Sequence, residues 1–334
     1  MYFKRFRIPT NSTQATIASI KNTIAYFVAG VTGDDKIINN ALTPTPIDTI
    51  RPAVISALKA STLASHITPD LDRRITFSCH VAADFVPSHP LTYQVTVAQL
   101  TLLFAYVEDL LEHKPHILQT LQLNIATGQP CGDPILDWFA RELTPQLWKH
   151  FDPLVANMIV IASYDLINGI GIETRMNLKD AGINNLKNTP HFPDWLRFKT
   201  GLSEMYALLV LGQSTDGTTI DLAKYAHAIP DFIIFTNIVN DVISCYKEVL
   251  AGEKGNYIDM RAERDGVDFL TALRVVADEG ICARNRVLAA LGDATVSRAN
   301  FDMYARGISH FHTSEARYRI PELFGAGLDK GLPG

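Results

Sequence analysis

The chain has 334 residues, of which 47% are hydrophobic and 19% charged, and a formal net charge of −5. That balance fits a globular chain long enough to bury a sizeable core and excludes intrinsic disorder. The negative net charge gives no reason to expect nucleic-acid binding.

Almost every long segment reads as helix. Residues 13–29 carry apolar side chains at helical spacing and end near Gly30. Residues 46–64 form a second candidate, opened by a proline as helix starts often are. Residues 70–86 and 93–113 follow, the latter stopped by Pro115, and 116–126 precede a Gly/Pro-rich loop over 127–134. The spacing then predicts helices over 135–150 and 153–167, with Gly169 and Gly171 marking a break. Segments 193–211, 221–250, 265–291 and 296–319 complete the set. Alternating β patterns, repeats of 20–50 residues and linker-like stretches are absent, so one all-α domain over 1–334 is the economical reading.

Cys79, Cys131, Cys245 and Cys282 lie far apart with no CxxC pair, which argues against a zinc site or a disulfide framework and is compatible with a reducing compartment. The start, Met1 to Pro9, has no long apolar region of the signal-peptide kind, and no uncharged apolar run reaches about 18 residues. A cytoplasmic protein without a membrane span is expected.

The most informative stretch is 237–248. Asn240, Ser244 and Glu248 recur at i, i+4 and i+8. On an α-helix these positions drift by about 40° and rise about 6 Å per step, so an amide oxygen, a hydroxyl and a carboxylate line one face. All three are hard oxygen donors of the kind Mg²⁺ accepts beside water and phosphate. Asn237 and Lys247 border the stripe, and the rest of the helix is apolar. A solvated helix face is the competing reading. Against it, the stripe is mostly Asn, Asp and Ser over its first two turns, and Glu248 sits one turn before Gly252, where its charge opposes the helix dipole.

A second acidic group closes the 93–113 helix. Glu108, Asp109 and Glu112 sit in its last turns, where negative charge is unfavourable by about 0.3–1 kcal/mol per exposed group. Glu108 and Glu112 are also like-charged i, i+4 neighbours. A bound cation reverses both penalties. Taken by itself, the run is read more simply as an ordinary acidic helix end, compensated by His113 and Lys114.

Asn240-Asp241-x-x-Ser244-x-x-x-Glu248 fits the (N/D)Dxx(S/T)xxxE magnesium motif of class I terpene cyclases, and the string from Val239 to Glu248 most resembles the trichodiene synthase family of fungal sesquiterpene cyclases. Glu108-Asp109-x-x-Glu112 matches that family's aspartate-rich motif in position, with Glu for Asp at both ends, so either Glu108 or Asp109 takes the main ligand role. Arg197, 43 residues before Asn240, falls where the family places its diphosphate-sensing arginine, and a guanidinium fork matches phosphate oxygens. Arg317-Tyr318 resembles the family's C-terminal Arg-Tyr pair. The likeness covers roughly residues 70–320 in motif order.

This resemblance implies a class I terpenoid-synthase helical bundle around a central cavity. Glu108, Asp109, Glu112, Asn240, Ser244 and Glu248 would hold Mg²⁺, three ions by analogy. Arg197, Lys247, Arg317 and Tyr318 would take the diphosphate of a prenyl diphosphate, farnesyl diphosphate above others. A homodimer is expected by the same analogy. Phe77, Phe104, Tyr106, Trp195, Tyr206, Phe235 and Phe311 are the candidate cavity aromatics, each equally readable as core. Two alternatives stay open: a chain-elongating prenyltransferase of the same fold, and a helical relative that has lost metal binding.

Overall fold

The computed structural model describes residues 12–33, 46–176, 185–293 and 295–325. Its helices are α1 (Ser12–Thr32), α2 (Ile47–Lys59), α3 (Pro69–Phe85), α4 (Leu91–His113), α5 (Pro115–Ala126), α6 (Pro134–Trp138) and α7 (Thr144–His150). They continue as α8 (Pro153–Met176), α9 (Phe192–Thr200), α10 (Ser203–Leu211), α11 (Ile229–Ala251), α12 (Tyr257–Asp265), α13 (Phe269–Leu291), α14 (Val296–Ser314) and α15 (Ile320–Phe324). No strand occurs among the described residues beyond one isolated bridge, Gln213 to Thr219.

Local chemistry sets many of these boundaries. The Thr68 hydroxyl caps α3 by accepting from the Leu71 amide, Asn256 caps α12, Asp268 caps α13 and Thr295 caps α14. Gly252 ends α11 in the left-handed region at φ 67°, and its amide closes onto the carbonyls of Glu248 and Val249. α11 is the element the others surround: α1, α10, α13 and α14 pack against it. It buries Phe232, Phe235, Ile238, Val239 and Val242 in a cluster that runs through most of the chain.

Several expected boundaries move: residues 46–64 end their helix at Lys59, and 135–150 contains a π-helical turn over Phe139–Leu143. Residues 153–167 do not stop at the glycines, because α8 runs on to Met176. A side chain at Gly169 would come within 2.7 Å of the Lys199 carbonyl oxygen, so this glycine lets α9 cross closely and breaks nothing. Conversely, 193–211 is two helices: Gly201, with extended backbone, separates α9 from α10 and packs onto the Asn237 amide. Residues 221–228 form two 3-10 turns ahead of α11, so that helix begins at Ile229. Residues 296–319 end their α-helix at Ser314, followed by a 3-10 turn, Ala316–Tyr318, and α15. The short helix α12 had no strong apolar period and was not foreseen.

By length and composition, Pro153–Met176 and Ala226–Ala251 are apolar enough to cross a membrane. The second has 78% of its apolar window buried, the share of a core helix, against 44% for the first.

Candidate functional site

The polar stripe of α11 forms as its spacing requires. Asn240 Oδ1 accepts a hydrogen bond from Arg197 Nη2 at 3.3 Å, and Asn240 Nδ2 meets His312 Nε2 at 3.2 Å. One turn on, the Ser244 hydroxyl is buried and has no hydrogen-bond partner among the described residues. Other buried helix serines behave differently. Ser78, Ser163 and Ser309 each return their hydroxyl at 2.8 Å to the carbonyl four residues back. Glu248 completes the stripe, accepting from Lys247 Nζ and from Asn256 Nδ2, each at 3.2 Å.

Arg197 reaches the stripe from α9. Its Nε lies 2.9 Å from both carboxylate oxygens of Asp241, and Nη2 also donates to the Asn237 carbonyl at 3.3 Å. α9 ends one turn further on, at Gly201. α10 is then anchored by Ser203, whose hydroxyl donates to the Asn237 side-chain oxygen. Burial pushes the Asp241 carboxyl up to about 6, against the pull of Arg197. Burial also acts to lower the Arg197 pKa, but the adjoining Asp241 charge prevails and holds it above its ordinary value.

The C-terminal pair lies on the turn after α14. Tyr318 is buried, and the Arg317 guanidinium sits 5.4 Å from the ring centres of both Phe77 and Tyr318. Burial raises the Tyr318 hydroxyl to about 12; Arg317 opposes this shift, while Glu108, Glu315 and Glu248 add to it. Glu108, near the end of α4, and Glu248, near the end of α11, therefore both act on the same phenol. Glu108 is exposed. The side chains of Asp109 and Glu112 lie outside the described residues.

An aromatic wall lines the corner beside Tyr318. Phe77 and Phe311 make an edge contact at 5.4 Å, Phe85 meets Phe311 at 5.7 Å and Tyr206 at 5.0 Å, and Phe311 meets Tyr318 at 6.2 Å. Phe77, Tyr206 and Phe311 thus belong to the wall. Phe104 is buried.

Three other candidates do not belong. Trp195 is 46% exposed and leans on Phe192, on the outer side of α9. Tyr106 gives its hydroxyl to Asp133 at 2.6 Å, and Phe235 packs into the core against Phe301. Nearness in sequence to a motif helix did not distinguish its inner from its outer face. Phe85 was missed, although its i+8 spacing from Phe77 on α3 carries the signal. His312 was missed with no comparable signal.

A cavity of about 750 Å³ lies apart from this corner, between α8, α9, α11, α12 and α13. It is lined by Ile229, Ile233, Ile234, Arg261 and Glu279 among others, and it touches the site through Arg197 and Asn237. Ser244, Glu248 and Tyr318 do not line it.

Comparison with known proteins identifies the family. Residues 78–330 match the family model of trichodiene synthase (TRI5). Terpene synthase BipA of Cochliobolus sativus is 28% identical over 242 residues, covering 72% of each chain. Longiborneol synthase CLM1 of Gibberella zeae is 29% identical over 245 residues, 72% of this chain and 70% of that one. The fold is shared with linalool/nerolidol synthase from Streptomyces clavuligerus, solved with 2-fluorogeranyl diphosphate: the TM-score is 0.58 at 16% identity, over 83% of this chain and 98% of that one. With a family match over most of its length and an all-helical bundle of the same fold, the chain belongs to the trichodiene synthase family and is a class I terpene cyclase.

Proposed function

We propose that this cyclase depends on Mg²⁺ and acts on a prenyl diphosphate, with farnesyl diphosphate the preferred substrate. The observation that carries the reading is Ser244. A buried hydroxyl with no partner is unfavourable by about 1–3 kcal/mol, and it stands in line with Asn240 and Glu248. A hard cation bound by these three oxygens removes that penalty, so the donor set fits Mg²⁺. Asn240, Ser244 and Glu248 would hold metal on one side, and Glu108 with Asp109 and Glu112 on the other. Bound Mg²⁺ supplies positive charge that makes diphosphate a competent leaving group.

The chain's own side chains do the rest. Arg197, Lys247 and Arg317 offer cationic donors to the diphosphate, and the neutral Tyr318 hydroxyl offers a further one. The allylic C–O bond breaks, its electron pair leaves with the diphosphate, and a carbocation remains beside the aromatic wall. Phe77, Phe85, Tyr206 and Phe311 exclude water there, and ring faces stabilise such a cation by about 0.5–2 kcal/mol each.

The test is diphosphate release from farnesyl diphosphate by the wild type and by a variant with Asn240, Ser244 and Glu248 all changed to Ala. Release by the wild type that chelator abolishes, with none from the variant, supports the reading. Release by the variant at the wild-type rate contradicts it.

A further inference from the structure

Asn240 can act as a cation donor only through its amide oxygen, yet its side chain fits the same space with oxygen and nitrogen exchanged. What fixes the choice comes from α14 and α9. His312 is buried, and its Nδ1 lies 2.8 Å from the Ile308 carbonyl. A carbonyl only accepts, so Nδ1 carries the proton. On its other side Asn240 faces Arg197 Nη2 at 3.3 Å, and a guanidinium only donates, so the Asn240 atom there is the amide oxygen. The NH₂ of Asn240 is thus the atom facing His312 Nε2 at 3.2 Å, and Nε2, with the ring proton on Nδ1, accepts from it. Ring contacts with Phe311 at 5.2 Å and Tyr318 at 4.6 Å hold the imidazole in its plane.

We infer that His312 is a positioning residue: by accepting from the Asn240 NH₂, it locks the Asn240 oxygen in the orientation a metal ligand needs. The inference rests on the proposed metal site. It makes α14 part of the metal-binding apparatus without any direct contact to metal. A chain running from the Ile308 carbonyl through His312 and Asn240 to Arg197 ties α14, α11 and α9 together.

The test is a Mg²⁺ titration of the purified protein with inorganic diphosphate, read by calorimetry and by the shift in melting temperature. It compares wild type, His312→Phe, Asn240→Asp, the double variant and His312→Gln. Phe fills the aromatic slot but accepts no hydrogen bond, so half-saturating Mg²⁺ should rise roughly tenfold, the worth of one such bond. In the Asn240→Asp background both side-chain oxygens are donors and no wrong orientation exists. There His312→Phe should change half-saturation by less than about twofold, a coupling only a double-variant cycle exposes. His312→Gln restores an acceptor and should stay within about threefold of wild type.

An equal loss in both backgrounds would assign His312 to packing alone and overturn the inference, as would no loss in either. If Mg²⁺ with diphosphate fails to bind the wild type, the metal-site reading itself falls and this inference with it.

Discussion

Ser244 presents a hydroxyl that burial makes unfavourable and that the fold leaves unpartnered. Replacing it with Ala should leave the melting temperature unchanged or raise it, since an unsatisfied buried group is removed. The same change should raise the Mg²⁺ needed for half-maximal turnover by about tenfold or more, because a ligand is lost. Opposite movement of stability and activity in one variant is the signature of a site residue; a fall in both would mark Ser244 as structural.

A different residue-scale pair governs pH dependence. His310 Nδ1 lies 3.0 Å from Asp84, and that hydrogen bond raises the imidazole pKa above its ordinary value against the effect of burial. A raised folded-state pKa means the stabilisation is complete below the unfolded value of about 6.5 and is lost as pH rises through the folded value. Melting temperature should therefore decline from pH 6 to 8 by more in the wild type than in His310→Gln. Parallel curves would contradict this. At this scale, Asn240, Ser244 and Glu248 are legible because one helix period places them. The contacts of Asn240 with Arg197, 43 positions away, and with His312, 72 away, are not, since packing between helices creates them.

Two glycines of α8 show what sequence alone cannot separate at the level of elements. Gly169 and Gly171 look alike as helix breakers, and neither breaks the helix. A Cβ at Gly169 meets the Lys199 carbonyl oxygen at 2.7 Å and carbon at 2.8 Å, whereas a Cβ at Gly171 meets nothing within 4 Å. Gly171→Ala should stabilise the protein by about 0.5–1 kcal/mol, through a less flexible unfolded chain and better helix propensity. Gly169→Ala should destabilise it by about 1–3 kcal/mol, because α8 and α9 must move apart. It should also weaken activity, since α9 carries Arg197. Denaturant unfolding of the two variants checks the opposite signs; a similar loss in both would return Gly171 to a structural role.

The same logic explains which elements were legible. Helices with a sustained apolar period, such as α4 and α13, were found to within a few residues. The break between α9 and α10 was not found. Its cause is the approach of Gly201 to Asn237 on a separate helix, and no local pattern in 193–211 encodes it.

Across the whole molecule, α4, α9, α11 and the turn after α14 each bring part of the chemistry to one corner, and the aromatic wall from α3, α10 and α14 closes it from behind. Segments far apart in sequence thus carry the charge, hydrogen-bond donors and apolar side chains that the proposed site draws on. The central claim is that this corner ionises a prenyl diphosphate with Mg²⁺ and shelters the cation while it cyclises. The most direct measurement is product analysis by gas chromatography and mass spectrometry after separate incubation with geranyl, farnesyl and geranylgeranyl diphosphates, with Mg²⁺ and with chelator. A cyclic fifteen-carbon product from farnesyl diphosphate, abolished by chelator, is the predicted result. The absence of turnover with every chain length, or turnover that chelator leaves untouched, would contradict it.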